Sequence, residues 1–222
     1  MTLTAEEIRK KYGRLIGRRG VVEETVQRFL TRYPAFLPVL WPYENVVFSK
    51  LPLGNQHVVD FAFARENSGG VTWYLIEIER PSDRLFTKAG DPAARLVHGM
   101  RQLADWKIWF RDNRDFVRRY FPFATRASRL GLTDPERILI IGRRSLLADR
   151  DRLRYAEIGR DAGIQVMTFD RLVDQFSWPA MERALPLRTV RFVNSDISRT
   201  EPIAQMSISV KWKIGAARKL TP

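Results

Sequence analysis

The run Ile138-Leu139-Ile140-Ile141 constrains the fold of this chain more than any other stretch. Four consecutive aliphatic residues leave no side for water, so the strand they form suits burial on both faces. A helical pattern follows from Ser145 to Asp161, Gly163 marks its stop, and Ile164 to Phe169 reads as the next strand. Strand, helix and strand in this order define an α/β protein, with a mixed central sheet flanked by helices.

The rest of the chain fits that class. Thr4 and Glu7 have the spacing of a capping box, opening a short helix that Gly13, Gly17 and Gly20 interrupt. A second helix is expected from Val21 to Tyr33, with Val22, Val26, Phe29 and Tyr33 on one stripe and Pro34 as its end. Glu44 to Gly54 reads as strand and turn; residues 58–63 and 71–79 read as a hairpin about Arg65–Gly70. Pro81 closes that hairpin, and a long helix is expected from Pro92 to Tyr120, with Ala93, Val97, Met100, Ala104 and Ile108 as its apolar seam. We divide the chain into an N-terminal helical segment (1–20), one α/β domain (21–185) and a C-terminal extension (186–222). Within the extension, Leu187–Ser195 and Met206–Ile214 have strand-like composition without a clear place.

Composition narrows the chemistry. With no cysteine among 222 residues, disulfides, thiol catalysis and cysteine-ligated metals are excluded from this chain, so a metal would need oxygen ligands or the two histidines. No apolar run has the length of a signal core or a membrane span, which points to a cytoplasmic protein with no membrane partner. The formal net charge is +13, and thirty of the thirty-eight basic residues are arginine. That balance favours polyanionic partners, nucleic acid first, although arginine richness also follows from genomic base composition.

The stretch Tyr74-Leu-Ile-Glu-Ile-Glu-Arg80 carries the sharpest functional signal. Strand side chains alternate, so Glu77 and Glu79 project together while Ile76 and Ile78 face the other way. The midpoint of positions 60 and 77 falls between Ser68 and Gly69, inside the turn, which sets Asp60 beside Glu77. Three carboxylates on one sheet face repel one another and lose solvation unless a cation compensates or the face is open to water. A hard divalent ion, Mg²⁺ or Mn²⁺, suits such an oxygen set and can activate water for phosphate hydrolysis; a solvated acidic face is the plain alternative.

An aspartate, a hairpin and an E-x-E strand followed by a helix resemble the core of the PD-(D/E)XK nuclease superfamily. The segments LIEIERPSDRLFTKAGDP, HGMRQLADWKIWF, RILIIGRR and IQVMTFDRLV are similar to the Shedu family of bacterial antiphage nucleases, with the likeness running from Val21 to Phe176. The resemblance implies a nuclease fold, metal-dependent cleavage of DNA and oligomeric assembly in phage defence. It makes Asp60 and Glu77 metal ligands and sets Glu79 where the family has lysine. Glu79 would then be a further ligand or a base toward water, and Lys88 could supply the missing cation from its loop. Glu23, on the apolar side of the second helix with Gln27, matches the glutamate the superfamily draws from an early helix. Gln102 matches a glutamine on the helix after the E-x-K strand, aligned with His98, Trp106 and Trp109. The tryptophans read better as core or interface anchors than as base-stacking platforms, and His98 as a structural residue. The short N-terminus leaves no room for the sensing domain many relatives carry, so regulation through assembly or a partner is expected.

Candidate nucleic-acid contacts are Arg80, beside the acidic pair, and Lys107, Arg111, Arg114 and Arg118, a basic stripe on the long helix. Arg143 and Arg144 follow the buried strand, where ligands approach α/β sheets. Solvated helix faces account for such charges equally well. Besides a metal-dependent endonuclease or nickase, the sequence admits a catalytically weakened nuclease-fold module that binds DNA or assembles.

Overall fold

A computed structural model of the chain describes residues 4–39, 46–68, 70–121, 134–176 and 188–191. Helix α1 (Ala5–Ile16) opens on the expected capping box: the Thr4 amide donates to Glu7 Oε2 at 2.7 Å and the Glu7 amide to Thr4 Oγ1 at 3.2 Å. The helix runs through Gly13 and ends at Gly17. Helix α2 (Glu23–Arg32) buries Val26, Phe29 and Leu30, whereas Val22, expected on its apolar stripe, lies ahead of the helix and is exposed. A 3₁₀ turn at Pro34–Phe36 follows.

Strands β1 (Val46–Leu53), β2 (His57–Asn67) and β3 (Gly70–Ile78) form an antiparallel meander. β4 (Glu136–Ile140) and β5 (Gln165–Met167) add in parallel beyond β3, and β6 (Arg188–Arg191) adds in parallel beyond β1. The six-stranded order is β5-β4-β3-β2-β1-β6, a mixed sheet. The aliphatic run of β4 is covered on both faces as its composition requires, with Leu139 and Ile141 in one apolar cluster and Ile138 and Ile140 in the other. β6 carries the sheet past residue 185, and the segment 206–214 lies outside the described residues.

Two helical layers sandwich the sheet. α1, α2 and α6 (Phe169–Phe176) cover the face bearing Phe61, Phe63, Ile76 and Ile78. α3 (Ala94–Asp112) and α4 (Arg114–Tyr120) cover the face bearing Ala62, Ala64, Trp73 and Leu75, and α5 (Asp151–Asp161) precedes β5. The expected single helix from Pro92 to Tyr120 starts two residues later and breaks at Asn113. Its seam also differs from expectation: Leu96, Gly99, Leu103, Trp106 and Phe110 are buried, while Val97 and Ile108 are more than half exposed. Apolar residues lie on two stripes of this helix, and the one holding the aromatics and Gly99 wins because it fits the sheet. A Cβ on Gly99 would stand 2.7 Å from Leu139 Cδ1, so glycine lets α3 approach β4. Likewise the helix expected from Ser145 resolves into a 3₁₀ turn (Arg144–Leu146) and α5.

The loop after β3 is pinned from beneath. Gly142, with φ +64°, donates its amide to Arg80 O at 3.2 Å, and a Cβ there would lie 2.4 Å from Asp83 O and 2.7 Å from Leu85 Cδ1. Left-handed backbone and missing space both demand glycine. Gly142→Ala is therefore expected to lower unfolding free energy by about 2–4 kcal/mol in a urea titration; a loss under about 0.5 kcal/mol would show that the loop shifts freely.

Candidate functional site

The pairing of β2 with β3 runs from Asn67↔Gly70 to Phe61↔Ile76 and stops, while β2 goes on to pair with β1 as far as Leu53↔His57. The sheet forks at Asp60. The register is the one the turn midpoint gave, with Asp60 next in line opposite Glu77. Instead of a ladder bond, the Asp60 side chain closes the gap: its Oδ2 accepts from the Ile78 amide at 3.0 Å.

Three further groups meet at the fork. Asp60 Oδ1 accepts from Lys50 Nζ at 2.5 Å and from Gln27 Nε2 at 3.3 Å, and Glu23, one turn before Gln27 on α2, is half-buried nearby. Lys50 belongs directly opposite Asp60 in the β1–β2 register, and it is a non-glycine residue at φ +56°. The reason for that backbone lies in the pleat. Core residues facing α3 are Val46 and Phe48, then Leu51 and Leu53, on β1; on β2 they are Ala64 and Ala62, then Val59. On both strands the alternation skips a residue at the Lys50–Asp60 pair, and left-handed φ at Lys50 accommodates the skip, at about 1–2 kcal/mol for a residue with a Cβ.

Asp60, Glu77 and Glu79 are 3%, 6% and 2% exposed, values far below those of ordinary surface carboxylates. Glu77 Oε2 has no hydrogen-bond partner among the described residues. Burial, reinforced by the charge and hydrogen bonding of Asp60, holds the Glu77 carboxyl well above the usual range. Burial also raises Glu79 to about 7 against the pull of Arg95, whose Nη1 lies 3.8 Å from Glu79 Oε2. Glu23 is raised by burial and then by Asp60, with Lys50 and Arg95 opposing. Asp83 adds to the rise of both Glu79 and Glu23, so these carboxylates act as one electrostatic unit with Lys50 and Arg95.

Sequence reasoning missed Lys50 and Arg95 and saw Gln27 only as a neighbour of Glu23. Lys50 was within reach of the midpoint construction: positions 50 and 60 are centred on Asn55, inside the turn Gly54–Gln56. Arg95 opens α3 just after the loop that leaves β3. The structure keeps Lys88 exposed in that loop, and the cations acting on Glu79 and Glu23 are Arg95 and Lys50 instead. Gln102 is half-buried two turns beyond Arg95 on nearly the same face of α3. His98 is exposed, and Trp106 and Trp109 are buried core residues, Trp109 beside Phe110, Phe116 and Phe121.

The basic candidates are mostly engaged. Arg80 binds Asp83 through Nη2 at 2.9 Å, bracing the turn that leaves β3. Arg143 grips Asp170 through Nε and Nη2 and donates to Ile16 O at 2.9 Å, tying α1 to α6, while Arg144 pairs with Asp174. Lys107 and Arg114 flank Asp134 at 3.6 and 3.5 Å, and Arg118 lies 3.9 Å from Asp115. The break at Asn113 divides the expected stripe, leaving Lys107 and exposed Arg111 on α3 and Arg114 and Arg118 on α4. A cleft lined by Gln56, His57, Asp105 and Trp109 lies apart, and none of the site carboxylates lines it.

The oxygen donors suit a hard divalent ion, and Glu77 Oε2 is a buried oxygen without a hydrogen-bond partner among the described residues. As the side chains stand, no three histidine, aspartate or glutamate residues among those described are set to hold an ion. The Lys50 ammonium already occupies Asp60 Oδ1.

A mixed sheet forked over buried carboxylates, with helices on both faces, defines a polar site at a strand end of an α/β domain. Residues 20–173 match the family described as Shedu protein SduA, C-terminal, and the chain belongs to that family. No curated protein matches it. No helix among the described residues is long and apolar enough to cross a membrane.

The raised carboxyls fix a pH response in metal-free protein. A folded pKa of about 7 against an ordinary 4.5 for Glu79 means that the folded state binds more protons between those values. That stability is fully present below pH 4.5 and is lost as pH rises to about 7. Glu79→Gln should be near neutral at about pH 4.5 and about 1–2 kcal/mol more stable than wild type at about pH 8 in chelator-treated samples. Parallel stability–pH curves for the two proteins would refute the assignment.

Proposed function

We propose that the chain is a metal-dependent DNA endonuclease or nickase of antiphage defence, using Mg²⁺ or Mn²⁺. What carries this reading is Glu77, buried on a strand beside Asp60 with an oxygen that no described group satisfies, within a domain of the Shedu family. Asp60, Glu77 and Glu79 would hold the ion, with Glu23 at its margin. When bound, such an ion supplies Lewis-acid stabilisation of a phosphoryl oxygen and a water of lowered pKa.

The chain's own residues do the rest. Gln27 and the Ile78 amide orient Asp60. Arg95, half exposed at the start of α3, has the reach and charge to meet a phosphate oxygen, and Gln102 follows it along the same helix face. A net charge of +13 and exposed Arg111 provide the attraction for a polyanion, with affinity that falls as salt rises. Oligomeric assembly through surfaces outside the site belongs to the same proposal. The second reading is a nuclease-fold module that binds DNA without turnover, and the resemblance, which sets Glu79 where the family has lysine, favours it.

Cleavage of supercoiled and linear DNA with Mg²⁺ or Mn²⁺ separates the two. Wild type should cut only with the ion, and Asp60→Ala and Glu77→Ala should each cut at least about 100-fold more slowly while still folded. Wild type that binds DNA but does not cut would transfer the proposal to the binding module. Metal-independent cutting, unaffected by either substitution, would sink both the ligand roles and the metal dependence.

A further inference from the structure

From the fork geometry we infer that Lys50 is the cationic member of this site. Its ammonium neutralises Asp60, and it would be free to face a phosphate oxygen if Asp60 held an ion. The inference rests on the proposed metal site.

Three observations carry it. First, Lys50 Nζ lies 2.5 Å from Asp60 Oδ1, and Lys50 opposes Asp60 across the β1–β2 ladder, so its position is fixed by strand register. Second, the residue at φ +56° in a pleat reversal is lysine, where glycine would satisfy the backbone without strain. A left-handed non-glycine residue at a cluster of buried polar groups marks a side chain kept for its chemistry. Third, Glu23, Asp60, Glu77 and Glu79 gather at the fork, with Asp83, paired to Arg80, adding to the rise of Glu79 and Glu23; among the cations that oppose it, Arg95 lies at the Glu79 end and Lys50 at the Asp60 end. Position 79 contributes a negative charge, so β1 supplies the ammonium that β3 lacks. Lys50 is also 30% exposed, which leaves its head free to swing from Asp60 toward solvent and substrate.

An ammonium on a ligand oxygen competes with a metal ion for it. Lys50→Met and Lys50→Gly should therefore bind Mn²⁺ about 10- to 100-fold more tightly in calorimetric titration and cut DNA at least about 100-fold more slowly. Lys50→Gly guards against misfolding, since glycine suits φ +56°, and Lys50→Arg should keep part of the cleavage rate. Tighter Mn²⁺ binding with lost cleavage in the Met and Gly variants supports the assignment, including the case in which wild type binds Mn²⁺ too weakly to detect. Unchanged or weaker Mn²⁺ binding, or undiminished cleavage, overturns it. Asp60→Asn in the same titration tests the underlying site: if Mn²⁺ binding survives that change undiminished, the metal reading itself fails, whatever Lys50 does.

Discussion

The separation of β2 from β3 at Asp60 is the constraint on which the rest of the site depends. Backbone groups freed where two buried strands part must find partners, and the Asp60 carboxylate takes the Ile78 amide that β2 would otherwise have paired. The carboxylate is thereby held in the sheet's own hydrogen-bonding plane and buried, with charge that has to be met locally. Lys50 from β1 and Gln27 from α2 meet it on its other oxygen. One strand divergence thus recruits residues from two strands and a helix to a single point. It also brings α2, which covers one face of the sheet, within reach of carboxylates that share the other face with Trp73 and Leu75.

Around the fork, packing rather than polar bonding sets position. Ile138 to Ile141 fill both layers and give β3 a parallel neighbour, whose Ile140 carbonyl takes the Glu79 amide at 2.9 Å. Gly142 then lets the chain pass beneath Asp83 and Leu85, so that the loop after Glu79 returns to start α3 with Arg95 over the acids. Gly99 draws that helix onto Leu139. These contacts are dry and closely fitted, and they carry the precision that a cluster of mutually repelling carboxylates cannot generate for itself.

Much of this was legible in the sequence. The capping box, the α/β class, the hairpin register and the shared face of Asp60 and Glu77 all follow from strong local rules: cap chemistry, period-two alternation and a turn that fixes pairing. What failed to show was tertiary choice. The seam of α3 could not be picked from two apolar stripes without knowing that Gly99 must meet Leu139. The arginines after β4 looked available because nothing local announces Asp170 and Asp174 on a helix almost thirty residues on. Lys50 was hidden differently: its register was calculable, but the pleat reversal that aims it at Asp60 is a cooperative feature of two strands.

Glu79 gives the site its particular physics. A third buried carboxylate beside Asp60 and Glu77 adds negative charge that a buried cluster cannot absorb by solvation. The fold divides the burden: Glu77 and Glu79 shift toward their neutral forms under burial, while Asp60 is met by an ammonium. Protons on β3 and a cation from β1 are thus the two means by which this chain makes three buried carboxylates, Asp60, Glu77 and Glu79, compatible with a core. The two differ in kind: the proton on Glu79 is held with a pKa of about 7, whereas the Lys50 side chain, 30% exposed, meets Asp60 through an ion pair. The acids of the fork are thus met by protons and by partly exposed cations, unlike Asp170, which Arg143 holds in a bidentate pair.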